Sequence, residues 1–134
     1  MTTQRSDPRV LAAVGTLGAL LGAGTGVFWV AMGGRYHHVC DGGEETCGLG
    51  VVLLGLVVFF ATAAGSALLT LLAVKMTRMS RKAPIVLTAL LAPAALVIVY
   101  NISGAIGAFR ILLLAAVSAL LHILVATAAR IRVR

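Results

Sequence analysis

Four long apolar runs alternate with short polar stretches along the chain, at about residues 10–32, 49–74, 84–100 and 106–129. A helix rises ~1.5 Å per residue, so about twenty apolar residues cross a hydrocarbon core. The runs show neither the strict alternation nor the polar lumen face of a membrane barrel. Inside lipid the backbone must then satisfy its own hydrogen bonds, and helices are the remaining solution. The third run is the shortest and contains Pro93. A proline there donates no hydrogen bond and crowds the carbonyl four residues earlier, that of Ala89, which predicts a kink. The expected fold is an all-α membrane protein, a four-transmembrane-helix bundle forming one domain over residues 1–134. Arg5 and Arg9 precede the first run as in a signal peptide, but the run exceeds the usual apolar length of ~7–15 residues. It is read as a retained span.

Composition agrees: 60% hydrophobic and 11% charged residues leave too little polar surface for a water-soluble domain. Ala, Gly, Leu, Val and Arg dominate over Lys and Asn, the bias of a GC-rich bacterial genome. The expected location is therefore a bacterial cytoplasmic membrane. A pI near 10.8 raises the question of nucleic acid, and the placement of the charges answers it. With four spans, Arg5, Arg9, Lys75, Arg78, Arg81, Lys82, Arg130, Arg132 and Arg134 fall on one side with Asp7. Arg35 and Arg110 fall on the other with Asp41, Glu44 and Glu45. The two sides carry +8 and −1, which together make the +7 of the chain. Short basic loops stay cytoplasmic, so both termini are expected inside. Lys75, Arg78, Arg81, Lys82, Arg130, Arg132 and Arg134 then lie against anionic headgroups, each worth ~1 kcal/mol of attraction. No aromatic interleaving supports nucleic-acid binding.

The stretch "RYHHVCDGGEETCG" (35–48) is expected as an extracytoplasmic loop and holds both cysteines. In an oxidising compartment paired cysteines form a disulfide, and Gly42-Gly43 lets the chain turn back between Cys40 and Cys47. A disulfide-stapled loop is the leading reading. A zinc site from His37, His38, Cys40 and Cys47 is the alternative, although the spacing matches no familiar closed zinc motif. The third reading is a thiol oxidoreductase using Cys40 and Cys47. Four-helix membrane oxidoreductases of the disulfide-forming and vitamin K epoxide reductase classes use Cys-x-x-Cys, usually with a second relay pair. This chain has six intervening residues and no second pair.

Within the spans, Gly18, Gly22 and Gly26 repeat at four-residue intervals, as do Ala61–Gly65 and Ala115–Ala119. Such faces let helix backbones approach closely, within the chain or between chains. His122 is the one ionisable residue deep in a span, and Ala115, Ser118, Ala119 and Ala126 share its helical face. It is expected to point inward, where a neutral imidazole needs both a donor and an acceptor partner. Counting back from Arg130 puts His122 about 12 Å along its helix, and counting back from Lys75 puts Ser66 about 13 Å along its own. Thr16, Ser66, Thr70, Thr88 and His122 are thereby expected as one intramembrane polar layer, with His122 hydrogen-bonded to Ser66 or another hydroxyl.

No nucleophile–base set, phosphate loop or carboxylate pair is present, and no cofactor is expected. The first span also lacks the membrane-embedded glutamate of small multidrug transporters. The expected function is a small non-catalytic membrane protein, an accessory, assembly or regulatory subunit acting through its glycine-rich faces. The expected partners are other membrane proteins or copies of itself. The alternatives are a small oligomeric channel or transporter using His122 and Ser66, and the thiol enzyme. The threading is directly testable: a Thr77→Cys variant should react with a membrane-impermeant thiol reagent from the cytoplasmic side only. Labelling from the periplasm would reverse the topology.

Overall fold

Asp7-Pro8 opens the first helix. The carboxylate of Asp7 accepts the backbone N–H of Arg9 at 2.9 Å and its carbonyl accepts those of Val10 and Leu11. Proline suits the first helical position because its missing N–H would be unpaired there anyway. In the computed structural model, residues 7–39, 44–77, 82–102 and 107–129 are described, with side chains left out for 34–39 and 44–46. They form α1 (Pro8–Val39), α2 (Glu44–Met76), α3 (Ala83–Ile102) and α4 (Ala108–Ala128), with no strand among the described residues. Each helix contains an apolar stretch of 20 to 30 residues, long enough to cross a membrane. The chain is a multi-pass membrane protein.

The helical elements overrun the sequence-based boundaries at one place in particular. Arg35–Val39 continue α1, and Glu44 to Cys47 already belong to α2. The expected loop over 35–48 is therefore mostly helix. The physical reason is plain in the sequence: Arg35–Val39 holds neither proline nor glycine, and acidic residues such as Glu44 and Glu45 favour a helix start. Helix α4 is preceded by Gly107 at φ 59° and ψ −131°, a conformation that only glycine adopts without strain.

Each helix buries one narrow stripe. On α4 it is Leu114, Ser118, His122 and Ala126; on α3 it is Ile85, Ala89, Ala92, Pro93 and Leu96. On α2 it runs Val58, Thr62, Ser66, Thr70 and Val74, every fourth residue. Two apolar clusters cap the bundle. Val10, Val14, Val74, Ile85 and Ala126 pack at one end, and Trp29, Val58, Leu96 and Leu114 toward the other. The outward faces carry Leu, Ile, Val and Phe throughout, the surface expected where the solvent is hydrocarbon.

Helix α1 packs most extensively on α4, α3 packs on both α4 and α2, and α1 meets α2 over a smaller area. The α1–α4 contact is closest because α1 presents glycines to it. A Cβ added at Gly18 would lie 2.9 Å from Ala119 Cα, and one at Gly26 would lie 3.2 Å from Ile111 Cα. At Gly22 it would lie 2.7 Å from Ser118 Cβ and 2.8 Å from Ala115 Cα. These backbone approaches leave no room for a side chain. By contrast, a Cβ at Gly24, on the same helix, would meet nothing within 4 Å.

The contrast predicts opposite outcomes for one substitution. Gly22→Ala should lower stability by about 1–3 kcal/mol, the usual cost of forcing extra volume into a packed contact. Gly24→Ala should be neutral or gain up to ~1 kcal/mol from helix propensity. Thermal unfolding of both variants in lipid-containing micelles checks this, and equal effects would contradict the seam.

Candidate functional site

The buried stripes converge on a small cavity lined by all four helices. Leu21 and Thr25 come from α1, Ser66 from α2, Ala89, Ala92, Pro93 and Leu96 from α3, and Ser118 and His122 from α4. It has about 10 Å³ of space open to the centre of a water molecule. His122 and Ser118 are each only 1% exposed.

His122 does not bond to Ser66, contrary to the sequence-based expectation. Its Nδ1 lies 2.8 Å from the backbone carbonyl of Ser118, one turn back on the same helix. A carbonyl oxygen only accepts, so Nδ1 carries the proton. The bond is available because a histidine side chain on a helix leans toward the preceding turn. The other ring nitrogen, Nε2, and the Ser118 hydroxyl are both buried without a hydrogen-bond partner.

Ser66 is engaged elsewhere, for a reason written in α3. Pro93 cannot donate to the carbonyl of Ala89, and the Ser66 hydroxyl reaches across from α2 to donate to that oxygen at 2.7 Å. A second, longer contact runs to the carbonyl of Ala63 at 3.0 Å. The hydroxyl thus replaces the helix bond that the proline removes, inside a span where an unpaired carbonyl is costly.

The remaining members of the expected layer do not join it. Thr16 is exposed and donates to Ala12, Thr88 is half-buried and donates to Pro84, and Thr70 is buried and donates to Ser66. Each hydroxyl bonds a carbonyl in its own helix, as short hydroxyl side chains do. Gly18, Gly22 and Gly26 line the α1–α4 seam, but Gly65 does not pack: a Cβ there would meet nothing within 4 Å. Lys75 and Lys82 are exposed at the same end of the bundle. Arg78, Arg81, Arg130, Arg132, Arg134 and Cys40, with the side chains of His37 and His38, lie outside the described residues.

Two features escaped the sequence reading. Thr25 lines the cavity, and its spacing from Gly18 and Gly22 already placed it on the buried stripe of α1. Toward the opposite end from Lys75, Trp29 donates from Nε1 to the Thr62 hydroxyl at 3.2 Å and meets Tyr100 edge to face at 5.4 Å. The Arg110 guanidinium lies 4.3 Å from the Tyr100 ring centre. The aromatic face of Tyr100 holds this cation, a contact worth ~0.5–2 kcal/mol.

A second concavity, about 350 Å³ and open to the outside, runs between α1 and α2. Gly24, Phe28, Ala61, Gly65 and Leu69 are among its lining residues. It shares Leu21, Thr25 and Ser66 with the buried cavity, so its floor is the cavity's wall.

The Ser66–Pro93 pairing gives a sharp expectation. Ser66→Ala should cost about 1–3 kcal/mol by stranding the Ala89 carbonyl. In a Pro93→Ala background the restored backbone N–H bonds that carbonyl, so the same substitution should cost much less. A double-mutant cycle on unfolding free energies reads the coupling, and additivity would refute it. No family model, curated protein or solved structure matches this chain, so the roles of these residues rest on their geometry.

Proposed function

We propose that this chain is a non-catalytic membrane subunit that docks another membrane-spanning helix in the groove between α1 and α2. It threads with both termini in the cytoplasm of a bacterium, its basic face on anionic headgroups and Cys40 joined to Cys47. One observation carries the reading. Glycine faces on α1 and α2 border the same open groove, and a Cβ added at either Gly24 or Gly65 would meet nothing within 4 Å. The α1–α4 seam indicates what such faces are for, since there the glycines are filled by a helix backbone. Helix α2 is also the least buried of the four, with 11% of its most apolar window buried against 33% for α1. Small residues drive helix association in lipid through close packing, where the hydrophobic effect between helices is absent.

A transport role is the second reading, favoured by His122 and Ser66 lining one cavity that shares a wall with the open groove. The size of that cavity weighs against it, because one water's width is not a path.

Size-exclusion chromatography in mild detergent tests the docking reading. The wild-type chain should migrate as a stoichiometric complex with a membrane-spanning partner or with itself. Gly65→Leu should release it as a monomer, with its thermal stability within about 1 kcal/mol of wild type because a side chain at position 65 enters the open groove rather than a packed contact. A wild-type monomer, or a complex indifferent to Gly65→Leu, would overturn the reading. Solute flux in proteoliposomes abolished by His122→Ala would put transport in its place.

A further inference from the structure

We propose that the cavity at the convergence of the four helices binds a single water molecule, held as a donor to His122 Nε2 and bridged to the Ser118 hydroxyl. The inference stands apart from the docking reading and rests on the unpaired atoms, the size and the lining of this cavity. First, both atoms are buried without a partner, and both residues line the same cavity. Second, the space is about 10 Å³ for a water centre, close to the least that holds one water. Third, the cavity is polar enough for water: Ser66 and Thr25 also line it, and buried waters take two to four partners.

The chemistry of the occupant follows from the tautomer. Nδ1 is committed as the donor to the Ser118 carbonyl, so Nε2 of the neutral ring offers a lone pair and requires a donor. The Ser66 proton is directed at the Ala89 and Ala63 carbonyls, which leaves its oxygen as an acceptor. A water fits this set: it donates to Nε2, donates again to a serine oxygen and accepts from Ser118. A metal cation fits it poorly. The acids of the chain are Asp7, Asp41, Glu44 and Glu45, none in the buried stripes, and an uncompensated charge inside a span is expensive.

The bound water also accounts for a polar pair at a helix contact that is otherwise backbone against backbone. Without it, two buried polar groups would stay unpaired inside a span, where that is costly.

Solid-state NMR of the full chain in lipid bilayers, with ¹⁵N-labelled histidine, tests the proposal. Replacing His37 and His38 by Gln leaves His122 as the sole histidine. The expected spectrum has a protonated Nδ1 and an unprotonated, hydrogen-bonded Nε2, with magnetisation passing from water protons to the ring. Ser118→Ala should weaken the water transfer by about fivefold, the equivalent of one hydrogen bond. Ala92→Val, which adds bulk to the cavity wall, should abolish it. A wild-type ring that receives nothing from water, or one protonated at Nε2 and bare at Nδ1, would overturn the assignment without recourse to any variant.

Discussion

The close approach of α1 to α4 is the contact on which the rest of the bundle depends. Lipid supplies little drive for apolar side chains to leave it, so helices in a membrane hold together by fitting closely and by pairing polar groups. Three glycines at four-residue intervals make that fit available to α1, and Ala115, Ser118 and Ala119 on α4 receive it. The same approach brings His122 against α1: a side chain at Gly18 would stand 2.9 Å from its Nδ1. The glycine seam and the buried histidine are thus one feature seen from two helices.

A second constraint acts on every polar group that the bundle encloses. Ser66 repairs the break that Pro93 makes in α3, and Thr62 receives the indole of Trp29 while donating to the Val58 carbonyl. In each case one hydroxyl links helices whose surfaces are otherwise alkyl. Where no protein group completes the set, at His122 Nε2 and Ser118 Oγ, there is space for a water. The polar interior is small and distributed, which suits holding helices in register better than conducting a solute.

The four spans were legible in the sequence because length and hydropathy decide them, and so was the inward face of His122, because small residues cluster around it on one helical side. The choice between glycine faces was not. Gly22 and Gly65 look alike as sequence, yet one is filled by α4 and the other is open, because contact depends on which helices become neighbours. Hydrogen-bond partners were equally hidden: level positions along the helices do not say whether a hydroxyl turns to its own backbone, as Thr16 and Thr88 do, or across to another helix, as Ser66 does. The α1 extension through Val39 was masked by its polarity, which reads as loop only when hydropathy is taken for secondary structure.

The α1–α4 seam is tested most directly by a disulfide placed across it in native membranes. A Cβ at Gly15 would lie 3.3 Å from Ile123 Cγ1, the position that a cysteine sulfur at residue 123 would occupy, within the range that a disulfide bridges with small adjustment. In a Gly15→Cys, Ile123→Cys chain, mild oxidation should form this bond rapidly within one molecule, read by mass spectrometry as a cross-link between the α1 and α4 peptides that costs two hydrogens. Cross-linking only between molecules, or none, would contradict the account at its foundation.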